Sequence, residues 1–248
     1  MIKNPVTLSI IFPAYNEEQR IYTALTKTAQ FAVRNNPHNI EVIVVENGST
    51  DRTYARAMDV ALGISVKPIH NLAIRIEQSR PGKGSALKYG MYLSKGKNVL
   101  LTDVDLSTPL MTLDRMYSYI PPADVVIGSR NLPASAVIGR SKQREVTGKT
   151  FSILASLLVP GIKDTQCGFK LLTRKAVETI GPLLTIDGFA FDVELLYIAR
   201  RLGLDVAEVP VTWIHDPLST VRVIPDSLKM ARDLIRIKLN HATGSYKT

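Results

Sequence analysis

The sequence has one cysteine, Cys167, which excludes an internal disulfide. A lone thiol fits a reducing compartment. There are four histidines, and no Cys-x-x-Cys or His-Glu-x-x-His spacing occurs, so a structural zinc centre is disfavoured. Aromatic residues make up 6% and do not interleave with basic residues as in RNA-binding modules, so nucleic acid is not an expected partner. No apolar run is long enough to cross a bilayer; the longest candidate, Phe151 to Val159, is far too short. Lys3, Asn4 and Pro5 break up the N-terminus, which has no signal-peptide pattern. A Gly-x-Gly-x-x-Gly after the first strand and a Gly-x-x-x-x-Gly-Lys-Ser/Thr are both missing, which disfavours a Rossmann dinucleotide site and a P-loop. Acidic residues are in deficit, 22 against 31 basic, for a net charge of +9. That surplus attracts anionic lipid or a polyanionic small substrate, and it also serves solubility.

What is present reads as alternating strands and helices. Val6 to Phe12 is a β-branched run broken by Pro13-Ala14-Tyr15-Asn16, and a helix follows from Glu17. Ile40 to Val45 is almost wholly apolar, as expected inside a parallel sheet. Further strands are expected near 66–69, 73–77, 98–102 and 125–128, and helices near 52–62, 84–94 and 111–119. The alternation predicts an α/β fold with a single doubly wound, mainly parallel sheet flanked by helices. With 248 residues the chain can form one such domain. Residues 1–225 form its body. The C-terminal amphipathic helix and tail, 226–248, belong to the same domain, with Leu228, Ala231, Leu234, Ile235 and Leu239 as the apolar stripe.

Ligands of doubly wound sheets bind outside the C-terminal strand ends. Polar segments 13–18, 46–51, 102–108 and 128–131 all fall there. Thr102-Asp103-Val104-Asp105 is the most informative of them. In an extended strand the two carboxylates diverge, but where the backbone bends at a strand end both can serve one site. Oxygen ligands of this kind suit Mg²⁺ or Mn²⁺ bound together with substrate phosphates; the same pattern also occurs as a solvated turn. Gly82-Lys83-Gly84 permits close backbone approach and supplies a point charge suited to phosphate, or is a plain turn into a helix. The basic residues from Arg130 to Lys149 beside the apolar run Phe151 to Val159 are candidates for a membrane surface or form a core helix behind a solvated loop, and the tail helix either binds anionic lipid or caps the domain.

Taken in order, Ile11-Phe12-Pro13-Ala14-Tyr15-Asn16-Glu17-Glu18, Gly48-Ser49-Thr50-Asp51, Gly82-Lys83-Gly84, Asp103-Val104-Asp105, Gly128-Ser129-Arg130, Asp164-Thr165-Gln166-Cys167-Gly168-Phe169-Lys170 and Phe189 to Leu196 resemble family 2 glycosyltransferases of GT-A fold. Among these they are most similar to the dolichyl- and polyprenyl-phosphate sugar synthases, with the last two segments most like the β-glucosyl branch. The resemblance spans roughly residues 6 to 238. It implies inverting transfer of a hexose from a UDP- or GDP-sugar, UDP-glucose favoured, to a polyprenyl or dolichyl phosphate, with Mg²⁺ or Mn²⁺. The enzyme would work peripherally at the cytoplasmic face of a membrane, with a membrane protein as a further potential partner. A soluble saccharide or small-molecule acceptor, and a nonenzymatic nucleotide-binding scaffold, are the alternatives.

The resemblance also assigns roles. Pro13, Tyr15 and Glu17 lie against the nucleoside, and Glu46 faces the base. Asn47 stands where relatives usually carry a second Asp. Lys83 and Arg222 serve the diphosphate. Asp105 is the better metal ligand, and Asp103 is a second ligand or touches ribose or a metal-bound water; Ser107 is a poor third ligand. Arg130 and Arg144 grip the acceptor phosphate, with Ser141 as an assistant. Asp192 touches donor sugar or acceptor, and becomes the leading base if the acceptor is a hydroxyl. Glu194, two residues on, diverges from it by about 200° around the helix axis and reads as structural. Trp213 either stacks on a sugar face or belongs to the core.

Overall fold

The computed structural model describes residues 5–35, 38–139, 155–216 and 223–246, and the side chains of 223–228 fall outside that description. Seven strands form the main sheet: β1 (Leu8–Ala14), β2 (Ile40–Glu46), β3 (Leu72–Gln78), β4 (Asn98–Leu101), β5 (Val125–Ser129), β7 (Lys170–Thr173) and β8 (Val206–Pro210). Their order is β3-β2-β1-β4-β7-β5-β8. A separate ribbon pairs β6 (Ala136–Ile138) with β9 (Thr212–Ile214). The helices are α1 (Ile21–Arg34), α2 (Thr53–Val66), α3 (Lys83–Leu93), α4 (Thr112–Tyr117), α5 (Arg174–Ile180), α6 (Phe191–Arg201) and α7 (Val223–Ala242).

Strands β1 and β2 are buried along their whole length. Successive side chains point to opposite faces, so Ile11, Ile43 and Val45 enter one core while Ile10, Phe12, Val42 and Val44 enter the other. Helices α3, α5, α6 and α7 cover the first face, and α1, α2 and α4 the second. On the first face α3 lies so close to β1 that a Cβ added at Gly90 would sit 2.4 Å from Ile11 Cγ2.

The predicted strand at 66–69 does not form; Val66 ends α2 and the chain runs on as a loop to β3. The tail stripe is also corrected. Met230, Leu234 and Ile237 face the core at helical spacing, whereas Ile235 and Leu239 are exposed.

One feature of the topology builds the site. β7 runs antiparallel between two strands that are parallel to the rest of the sheet, with Leu101 opposite Lys170 on one side and Ile127 opposite Lys170 on the other. Its N-terminal end therefore lies at the C-terminal edge of β1, β2, β4 and β5. Residues 164–170 join the polar segments there by direction of travel.

Candidate active site

Four charged groups meet at this edge. Lys83, first residue of α3, places Nζ 2.8 Å from Asp103 Oδ1 and 3.6 Å from Asp192 Oδ2. Asp192, in the first turn of α6, is buried, and its Oδ1 lies 2.5 Å from Lys170 Nζ. Lys170 is completely buried and also donates to the Cys167 carbonyl. An ammonium taken so far from water persists only when paired. Burial acts to lower the pKa of Lys83, but the Asp103 and Asp192 carboxylates outweigh it and hold the ammonium above the ordinary lysine value. For Asp103 burial acts to raise the pKa, and Lys83 outweighs it, so this carboxyl sits below its ordinary value. A Cβ on Gly168 would lie 2.2 Å from Asp103 Oδ2, so the loop leading into β7 passes directly against this carboxylate.

Asp105 differs. It accepts the Ser107 N–H at 2.9 Å and forms no ion pair with any described residue. Burial, and then the charge of Asp103, push its carboxyl above the ordinary value. Glu17 behaves similarly, and Asp105 is among the charges that act on it. Burial raises it to about 7, even though Arg20 meets it through two N–H groups at 2.6 and 2.7 Å. Arg20 in turn reaches Asp216 at 3.7 Å.

Arg130, just past the end of β5, is engaged by Asp164. Its Nε and Nη2 donate to the two carboxylate oxygens at 2.7 and 2.8 Å, and its backbone N–H donates to Oδ2 at 2.9 Å. Its guanidinium carbon lies 5.8 Å from the Trp213 ring centroid. Trp213 is half-buried on β9 and stacks on His215. The ribbon is hooked to the Asp105 loop, because Ile214 N–H donates to the Ser107 carbonyl at 2.9 Å. Trp213 thus borders the cleft and is absent from both cores.

Three of the residues expected to contact the nucleotide are buried at this edge. Pro13 is inside β1, paired in register with Val45 and buried, which leaves Tyr15 as the exposed ring at that rim. Asn47 is buried, its Nδ2 donating to the Ala14 carbonyl and its Oδ1 accepting the Gly82 N–H, so it ties β1 to the Lys83 turn. Glu46 is buried too, and its oxygens accept the Ser49 N–H and the Gln78 side-chain amide. Both side chains hold turns at this edge. Arg144, Ser141 and Arg222 lie outside the described residues. Lys170, Asp164 and Arg20 hold the charged side chains in place, and no role was expected for them. Lys170 and Asp164 do fall inside the motif segments, which was the available signal.

A model of the family described as glycosyl transferase family 2 matches residues 9–181. Dolichyl-phosphate beta-glucosyltransferase of Dictyostelium discoideum is 36% identical over 261 residues, covering 99% of this chain and 79% of that protein. The protein of the same name from Mus musculus is 34% identical, covering 97% and 77%. Among solved structures, glucosyl-3-phosphoglycerate synthase from Mycobacterium tuberculosis, in complex with Mn²⁺, UDP-glucose and phosphoglyceric acid, superposes with a TM-score of 0.67. It is 22% identical and covers 95% of this chain and 79% of that one, a likeness of fold. The chain has the GT-A fold, is a glycosyltransferase that draws on a nucleotide sugar, and belongs to glycosyl transferase family 2.

Proposed function

We propose that this protein transfers glucose from UDP-glucose, inverting the anomeric carbon, to an acceptor bound beside the Lys83–Asp103–Asp192 cluster. The observation that carries the donor side is the meeting of a half-buried lysine with two carboxylates, Asp103 at 2.8 Å and Asp192 at 3.6 Å, while Asp105, two residues beyond Asp103, has no ion pair among the described residues. Glucosyl transfer is common to the names of the relatives and of the fold neighbour.

The donor set fits a hard divalent cation. Asp105 is an oxygen ligand whose negative charge is disfavoured by burial and by Asp103, and a cation relieves both. No group of three or more His, Cys, Asp or Glu side chains able to hold a metal ion occurs among the described residues. Asp105 and Asp103 would therefore hold Mg²⁺ or Mn²⁺ with diphosphate oxygens and water completing the shell. Once bound, the ion neutralises charge on the departing nucleotide. Lys83 adds a fixed positive charge at the same place and, pinned by two carboxylates, needs no reorganisation as charge develops. The acceptor oxygen forms a bond to C1 as the bond from C1 to the diphosphate oxygen breaks, and UDP leaves with the electron pair.

Two acceptors have specific support. Dolichyl phosphate, a polyprenyl phosphate, stands in the relatives' names, and those relatives match nearly the whole chain. Such a phosphate is already ionised, so positioning suffices without a base. In this reading Arg130, with Arg144 and Ser141, holds the phosphate at the cytoplasmic face of a membrane. Ile235 and Leu239 on α7, exposed among Arg232, Arg236 and Lys238, then face the lipid, with or without a membrane protein partner. The second acceptor is a soluble molecule, and Arg130 favours it. Two of its donor positions are already spent on Asp164, so its charge is largely neutralised before any phosphate arrives. A hydroxyl acceptor needs a base, and Asp192 is the nearest carboxylate to Lys83 after Asp103.

Purified protein, UDP-glucose and Mn²⁺ are supplied with a short polyprenyl phosphate or with soluble sugars and phosphorylated acids. Glucose partitioning into organic solvent establishes the lipid acceptor; glucose on a water-soluble product establishes the second. Bound UDP-glucose with no product from any acceptor overturns the transferase reading.

A further inference from the structure

The buried carboxylate of Glu194 belongs to the same helix as Asp192 but points the other way and gathers a cluster of its own. It accepts the Thr185 N–H at 3.0 Å, the Ile186 N–H at 2.8 Å and the Thr185 hydroxyl at 2.6 Å. The fourth donor comes from the far end of the chain, where the Tyr246 hydroxyl reaches Glu194 Oε1 at 2.7 Å. Asn240, near the end of α7, donates to the Thr185 hydroxyl at 2.8 Å and to the Tyr246 hydroxyl at 3.2 Å. Burial and the nearby Glu194 charge raise the Tyr246 phenol above its ordinary value, so it remains a donor. Four donors on one buried carboxylate fix the backbone of 185–187.

That backbone is the wall behind Lys83. A Cβ at Gly82 would lie 2.3 Å from the Asp187 carbonyl, and one at Gly84 would lie 2.4 Å from the Ile186 carbonyl. The contact is also bonded, through Ser85 N–H to the Asp187 carbonyl at 3.2 Å and Lys88 Nζ to Asp187 Oδ1 at 2.5 Å. Gly82 has φ +123°, a backbone conformation that side-chain-bearing residues rarely adopt, so the turn into Lys83 is built on glycine. Lys83 stands between these two glycines.

We propose that the C-terminal segment 240–246 sets the position of Lys83. Tyr246 and Glu194 are positioning residues, acting through the 185–187 wall on the turn that presents the ammonium to the donor diphosphate. Docking of the C-terminal helix is thereby coupled to donor binding, and anything that displaces α7 weakens the hold on the nucleotide. This deepens the donor reading and rests on it for its functional consequence, though the mechanical linkage does not depend on it.

Two measurements on the full chain test it. In hydrogen–deuterium exchange without nucleotide, Tyr246→Phe is expected to speed exchange of the amides of 82–88 and 185–187 about fivefold while β1 and β2 stay unchanged. Glu194→Gln should affect the same segments more. A rise confined to 240–246 overturns the proposal. In calorimetry with UDP, Tyr246→Phe should weaken binding about fivefold in the wild-type background and less than about twofold when Lys83→Ala is already present. Additive losses would mean that Tyr246 does not act through Lys83. If the unaltered protein binds no UDP, the donor reading fails, and the exchange result alone decides the linkage.

Discussion

Asp103 and Asp105 are separated by a single residue in sequence, yet the two sides of the cleft they face treat charge in opposite ways. On the Asp103 side each charge has a counter-charge: Lys83 against Asp103 and Asp192, and Lys170 against Asp192. On the Asp105 side negative charge is left over. Among the described residues Asp105 has no ion-pair partner and accepts the Ser107 N–H, and Glu17 is raised to about 7 in spite of Arg20. A balanced half keeps its shape with or without ligand, while a half with surplus negative charge gains by taking up a cation. The difference assigns the work: one side is a preset scaffold for the diphosphate, and the other is completed by what binds.

The comparison breaks most severely at Lys170. Lys170→Met leaves the buried Asp192 carboxylate without its closest partner and should cost about 3–5 kcal/mol in urea unfolding, seen as a lower midpoint at unchanged slope. Pairing it with Asp192→Leu should recover most of that stability but not activity. Lys83→Ala should lower glucosyl turnover about 100- to 1,000-fold, because a preset charge on the leaving group is lost. Saturating kinetics should show the loss in kcat as well as in kcat/KM.

The surplus half predicts a pH effect. The folded carboxyl of Glu17 titrates at about 7 against an ordinary 4.5, so it binds its proton more tightly when folded. The stability it contributes is fully present below about 4.5 and is lost as pH rises through about 7. Thermal melting of wild type minus Glu17→Gln should therefore fall across that window and be flat on either side. A smaller effect is expected at Gly168→Ala. The added Cβ meets Asp103 Oδ2 at 2.2 Å and Cγ at 2.9 Å, so the carboxylate paired with Lys83 must shift, and the donor KM should rise about threefold.

Much of this was legible in the sequence. The alternation of apolar strands and amphipathic helices marks the doubly wound sheet, and polar segments after β1, β2, β4 and β5 mark its active edge. Local pattern does not reveal the direction of a strand, so nothing in Lys170 to Thr173 announces that β7 runs backwards and carries Lys170 to the site. A lysine opening an apolar strand reads as a surface residue, and its burial rests on a counter-charge 22 residues away, Asp192, together with the Cys167 carbonyl. Long-range pairing also explains Asn47 and Glu46, whose motif positions imply ligand contact while their side chains hold turns. Val66 to Ile69 misled because β-branched residues at the end of a helix resemble a strand. Motif resemblance placed Lys83, Asp103, Asp105 and Asp192 in one site, and it could not say which carboxylates would find partners.

The most direct test of the two-sided site is calorimetric titration of UDP into wild type and Asp105→Asn, each with and without Mn²⁺. The account predicts that Mn²⁺ tightens UDP binding at least about tenfold in wild type and does nothing measurable in Asp105→Asn, while the weak cation-free binding is the same in both. Cation-independent UDP binding in wild type, or full cation enhancement in Asp105→Asn, would contradict it.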